Sequence, residues 1–263
     1  MKLAIFDIDG VLIRGKSAIS HAADTIKMLK DKGILVQYLT NNSTQVREVF
    51  ASRLCAIGIE ASPEDVMTSS IASASYLKDI SPEGGRILVV GEEGIVLALR
   101  DAGFDVVDYK DSQPVNFVVV GMDRQFTYDK LARAQHEIYS NKAGFIATNY
   151  DPVFPVENGG IKPGGGIMVR ALEACTFQDA KVIGKPETTS IEIILKNHGI
   201  ESTDAMIIGD NLETDILAGK RANLRTVFVL TGIHTNEDLV KVDKNGVPDY
   251  VIKDLSSLVD CLD

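Results

Sequence analysis

The chain opens on KLAIFDI, a near-continuous apolar run of the kind a strand carries when both faces of its sheet are covered. Residues 18–31 follow with Ile19, Ala22, Ile26, Met28 and Leu29 at helical spacing and predict a helix. ILVQYLT (34–40) predicts the next strand, and TQVREVFASRLCAIG predicts a helix closed by Gly58. DVMTSS reads as a short strand and IASASYLKDI as a helix. After SPEGG (81–85), a Pro/Gly-punctuated break, the same alternation starts again. RILVVG, FDVVD, NFVVVGMD and GFIATN read as strands, with EGIVLALRDAG, TYDKLARAQHEIYSN and IMVRALEACT as helices. From about residue 179 AKVIG, AMIIGD, RTVFVL and DYVI predict strands, separated by the helices TTSIEIILKNHG and LETDILAGKRAN.

Strands alternating with helices imply an α/β fold with a mostly parallel sheet, Rossmann-like, and helices on both faces. The expected organisation is a core domain from residues 1–80 and 180–263, interrupted by an inserted α/β domain at 81–179. Heptads, repeats and low-complexity tracts are lacking.

Composition narrows the partners. The 263 residues carry a net charge of −10 and a pI near 4.9, which argues against nucleic acid or an anionic membrane, since both select clustered Lys and Arg. An anionic substrate must then be held by local devices such as a metal ion, a helix N-terminus or a single lysine. The cysteines, Cys55, Cys175 and Cys261, are odd in number and show no zinc-ligand spacing. They read as idle thiols of a reducing compartment. With no signal-peptide pattern and no apolar run of membrane-spanning length, the expected location is the cytoplasm.

In open parallel sheets, sites form beyond the carboxyl ends of the strands. Four of the predicted strands deliver polar residues there: Asp7-Ile-Asp9-Gly10, Thr40-Asn41-Asn42, Lys185-Pro186, and Asp210-Asn211 followed by Thr214-Asp215. Each has a plain alternative. Asp-Gly favours a turn, though Asp7 still lies within the apolar pattern. Thr40-Asn41-Asn42 could cap the next helix, Lys185 could be a solvated loop residue, and Asp215 could sit in a first helical turn for the helix dipole. Together they pose a single problem. Several carboxylates at one sheet edge repel unless a cation sits among them, and a hard oxygen site with few carboxylates suits Mg2+. Carboxylates, Mg2+, one lysine and hydroxyl or amide donors make a phosphoryl-transfer site.

The four elements DxDG, TNN, GKP and GDxxxTD, in this order, resemble the haloacid dehalogenase superfamily. VVVGMDRQFTYDKL, FIATNYDP and PGGG in the middle segment resemble its p-nitrophenylphosphatase/NagD-like subfamily, whose inserted α/β cap is of type IIA. The resemblance implies that Asp7 is the nucleophile of an aspartyl-phosphate and Asp9 the general acid, then base. It implies that Thr40 and Asn41 or Asn42 bind phosphoryl oxygens and that Lys185 balances charge. Asp7, the Asp9 backbone carbonyl and Asp210 would bind Mg2+, with Asp215 supporting that shell. The implied substrate is a small-molecule phosphate monoester: a sugar phosphate, a nucleoside monophosphate or a phosphoglycolate-like metabolite. A homodimer through the cap is also implied. Residues two apart on a strand share a face, so Asp7 and Asp9 are expected to address one substrate.

Between Gly10 and Thr40 there is room for a loop and one helix only, so the cap is expected after the third core strand. Within it, Asn149 and Asp151 read as exposed polar residues at a strand end that contact substrate, or as a turn around Asp151-Pro152. Phe154 could line an apolar wall or belong to the core. KPGGGI and GEEG (91–94) carry no dinucleotide fingerprint. Two other functions remain open: the same fold with dehalogenase or phosphomutase chemistry, and a binding module without catalysis. The proton-bearing Asp9 favours phosphate esters over halides, and the intact motif positions favour an enzyme.

Overall fold

The computed structural model describes residues 1–155, 160–243 and 246–262. By packing, the chain divides into two compact units, one of Met1–Thr40, Arg47–Met67 and Lys185–Asp263, the other of Asn41–Val46 and Thr68–Gly184.

The first unit is built on a six-stranded sheet in the order Tyr250–Ile252, Arg225–Val229, Ala205–Gly209, Leu3–Phe6, Leu35–Thr40, Val66–Thr68. Leu3–Phe6 lies parallel to both of its neighbours. Its four residues are all fully buried, as the continuous apolar run requires. The helix Ala22–Asp31 buries Ala22, Ile26 and Leu29, three positions of the predicted stripe. It starts later than residue 18, because Ile13–Arg14 and Ser17–Ala18 pair as a small antiparallel hairpin whose turn places Gly15 in the left-handed region, φ 61°.

The second unit carries a five-stranded sheet in the order Lys181–Val182, Gly144–Ala147, Phe117–Val120, Arg86–Val90, Asp105–Val107, with every pair parallel. Val153–Pro155 and Ile161–Pro163 pair antiparallel as a separate two-stranded sheet. The helix Ser69–Ile80 packs on the helix Glu93–Asp101 and belongs by packing to this unit. The SPEGG punctuation is therefore a turn inside the unit, where the Ser81 hydroxyl donates to the Gly84 carbonyl at 2.6 Å. Asn41–Val46 joins the unit in the same way: the Gly94 N–H at the start of that second helix donates to the Thr44 carbonyl at 3.2 Å. Among the described residues no helix is long and apolar enough to cross a membrane.

Candidate active site

Numbered along the chain, the six strands of the first unit run 3-2-1-4-5-6. This doubly wound order reverses direction between the first and fourth strands, where such sheets open a crevice beyond their carboxyl ends. Those two strands end at Phe6 and Gly209, and the next residues are Asp7 and Asp210. The first strand stops one residue before Asp7, whose N–H still donates to the Ile208 carbonyl at 3.0 Å. Thr40, buried, ends the strand on the other side of Leu3–Phe6.

The Lys185 ammonium, 2% exposed, sits among three oxygens. It donates to Asp7 Oδ1 at 2.5 Å, Asp215 Oδ1 at 2.6 Å and the Leu39 carbonyl at 3.2 Å. Asp215 is delivered by the turn after Asp210. There the Asn211 side chain accepts the N–H groups of Glu213 and Thr214, and the Asn211 N–H donates to Asp215 Oδ2 at 3.1 Å. Asp210 Oδ2 accepts the Ile233 N–H at 2.7 Å. Two glycines make room for that carboxylate. A methyl group on Gly10 (φ +91°) would lie 2.3 Å from Asp210 Oδ2, and one on Gly232 only 1.7 Å from it.

Asp7, Asp210 and Asp215 each offer an oxygen within 4.8 Å of the others. Three carboxylates against one ammonium leave two negative charges uncompensated. Burial raises the Asp7 carboxyl well above the ordinary carboxylate range; Lys185 opposes the rise, and Asp215 and Asp210 add to it. Burial and then the Asp215 charge push Asp210 up to about 7. For Lys185, burial acts downward, but Asp215 and Asp7 outweigh it and the ammonium is raised and stays charged. A hard, all-oxygen donor set short of two positive charges fits Mg2+, which Asp7 and Asp210 would hold. Mg2+ held there would take the ionised form of Asp210, so below about pH 7 it would have to displace a proton. Mg2+ affinity is therefore expected to fall by up to about tenfold per pH unit as pH drops below that value. Calorimetric Mg2+ titrations from about pH 5.5 to about 8.5 check this, and an affinity that stays flat contradicts it.

Asp9 goes elsewhere. Ile8, between the two aspartates, is fully buried, and the half-exposed Asp9 carboxylate accepts from Arg53 Nη2 at 3.1 Å. The two carboxylates expected to act together thus have separate partners, Lys185 for Asp7 and Arg53 for Asp9.

In the second unit, Asn149 is buried rather than exposed and Asp151 is partly buried, a correction to the sequence expectation. The reason is a polar network. Asp151 Oδ2 accepts the side-chain amides of Asn41 at 2.9 Å and Asn149 at 2.7 Å, and the Thr148 hydroxyl donates to Asn149 Oδ1 at 3.1 Å. The Asn41 amide is thereby engaged with Asp151. Asn42 Oδ1 accepts both the N–H and the hydroxyl of Thr44, at 2.9 and 2.8 Å. Phe154 lies in the Val153–Pro155 strand and is partly buried.

Sequence reasoning missed Arg53 and the Ile233 N–H. Arg53 lies on the helix Arg47–Ala56 with no motif around it, and a backbone donor has no side-chain signature.

Comparison with known proteins gives the family. Residues 4–105 match the family model of haloacid dehalogenase-like hydrolases, and residues 182–258 match a HAD-hydrolase-like model. The chain is 36% identical over 258 residues to an acid sugar phosphatase of Staphylococcus aureus, covering 98% of this chain and 96% of that protein. It is similar to the solved structure of NagD from E. coli, with TM-score 0.87 and 31% identity over 97% of each chain. It is also similar to a glycerol phosphate phosphatase from Mycobacterium tuberculosis in complex with magnesium, with TM-score 0.88 and 30% identity, covering 98% of this chain and 76% of that one. The chain belongs to the haloacid dehalogenase-like hydrolases, and within them to the NagD-like group.

Proposed function

We propose that the protein is a Mg2+-dependent phosphatase of small phosphate monoesters working through an aspartyl-phosphate. The observation that carries this is the Asp7–Asp210–Asp215 group, partly buried at Asp7 and buried at the other two, paired with Lys185 and short of two positive charges. Similarity to the acid sugar phosphatase and to the magnesium-bound glycerol phosphate phosphatase supports it.

Asp7 is read as the nucleophile. Lys185, fixed on Asp7 Oδ1, holds the carboxylate rotamer and favours its ionised form. As the bond from Asp7 to phosphorus forms, the bond from phosphorus to the ester oxygen breaks, and Asp9 gives that oxygen a proton. Water then attacks phosphorus, passes a proton to Asp9 and releases Asp7. Asp7, the Asp9 carbonyl and Asp210 would hold Mg2+, which supplies positive charge for the phosphoryl oxygens in transit. Asp215 acts through Lys185, which it holds at 2.6 Å. The Thr40 hydroxyl, at the end of the strand next to Leu3–Phe6, is read as a phosphoryl donor. The engaged amide of Asn41 is read as a structural group, and Asn149 and Asp151 as its support rather than as substrate contacts. The cytoplasm is the compartment we infer, in keeping with the free thiols of Cys55, Cys175 and Cys261.

The test is turnover of p-nitrophenyl phosphate and of a panel of sugar, nucleoside and glycerol phosphates with Mg2+. Phosphate release that stops with EDTA and returns with added Mg2+ is expected. No release from any ester, or release of halide from 2-halo acids instead, would overturn the reading.

A further inference from the structure

We propose that Arg53 is a positioning residue for Asp9 and serves the half of the reaction in which the alcohol leaves. The inference rests on reading Asp9 as the general acid. Asp9 has little packing to hold its side chain. It is 49% exposed and precedes Gly10, whose φ of +91° turns the chain sharply away. Among the described residues its carboxylate makes one ion pair, Arg53 Nη2 to Oδ1 at 3.1 Å. The cation is itself anchored. Its guanidinium lies 5.6 Å from the ring centroid of Phe50, one turn earlier on the same helix and fully buried. A half-exposed ion pair of this kind adds little to folding stability, so its effect is on orientation.

The contact is single-point. Arg53 takes Oδ1, which leaves Oδ2 to carry the proton. When the Asp7–phosphorus bond forms and the ester bond breaks, the Oδ2 proton passes to the leaving oxygen, and the new carboxylate stays paired with Arg53. In the second step the proton of the attacking water returns to Oδ2. Without Arg53 the carboxyl samples the solvent-facing rotamers open to a half-exposed aspartate, and proton delivery is lost in proportion.

The requirement for that proton differs between substrates. An alkyl phosphate releases a basic alkoxide and depends on the acid, whereas p-nitrophenolate leaves without one. The experiment measures kcat/KM for glycerol phosphate and for p-nitrophenyl phosphate, with saturating Mg2+, in wild type, Arg53→Gln, Arg53→Lys and Asp9→Asn. Arg53→Gln is expected to lower glycerol phosphate turnover about tenfold and p-nitrophenyl phosphate turnover less than about threefold. Arg53→Lys, which keeps one N–H donor for Oδ1, is expected to restore most of the loss. Asp9→Asn is expected to give the same selective loss in larger measure. A selective loss in Asp9→Asn with an equal loss for both substrates, or none, in Arg53→Gln overturns the role of Arg53 and leaves Asp9 as the acid. An unselective Asp9→Asn overturns the acid assignment, and the role of Arg53 goes with it.

Discussion

Asp7→Asn is expected to retain less than about one part in ten thousand of wild-type turnover on any phosphate monoester. The change is nearly isosteric, but a carboxamide has no anionic oxygen to bond to phosphorus, so the first step has no nucleophile. The fold is expected to survive and to gain stability without Mg2+. Burial and the nearby Asp215 and Asp210 charges disfavour the ionised Asp7 carboxylate in the folded chain. A neutral side chain removes that penalty, while Lys185 keeps Asp215 as partner. Urea denaturation in EDTA should place the Asp7→Asn midpoint at or above that of wild type. Turnover above about 1% in a folded Asp7→Asn protein would remove Asp7 as the nucleophile.

Lys185→Met is expected to have the largest effect on stability. Methionine matches the length of the lysine stem but leaves the Asp7 and Asp215 carboxylates without their common cation. Asp215 is 1% exposed, so water cannot replace its lost partner. Removing one member of a buried ion pair costs about 3–5 kcal/mol. The double variant Lys185→Met/Asp215→Asn neutralises the more deeply buried of the two orphaned charges and should recover part of that stability. It should recover none of the activity, because Asp7 still lacks the group that fixes and ionises it. Urea curves of the three proteins test this, and a Lys185→Met midpoint equal to that of wild type would contradict it.

The strands were legible in the sequence because parallel sheets are covered on both faces, so KLAIFDI and AMIIGD read as unbroken apolar runs. The gathering of Asp7 and Asp210 was legible for a topological reason: parallel strands present their carboxyl ends at one edge. The strand before Lys185, Lys181–Val182, pairs instead in the five-stranded sheet, so the expected route of Lys185 on a core strand is corrected by the structure. What escaped was whatever lacked periodicity. The hairpin Ile13–Arg14 with Ser17–Ala18 is two residues per strand, too short to alternate. The helix Ser69–Ile80 sits before the Pro/Gly break, yet it packs beyond it, because its partner Glu93–Asp101 comes later in the chain. Asp151 read as exposed because its partner Asn41 is 110 positions away, and Asn149 is drawn into the same network through Asp151. Arg53 escaped because a basic residue on a helix carries no sign of the carboxylate it will meet.

The sequence by itself determined the inventory and order of the chemistry: two aspartates at the first strand end, a lysine before a proline, and two more aspartates after a buried strand. Residue type and strand pattern are local properties, and those suffice to say that carboxylates, a lysine and a divalent cation belong together. Only the tertiary structure decided how the charges are shared. Lys185 reaches Asp7 across 178 positions and Asp215 across 30, Asp9 is left to Arg53, and Asp210 is pushed up to about 7 between two glycines. Charge balance depends on distance and burial, and both are set by which segments the fold brings into contact rather than by their place along the chain.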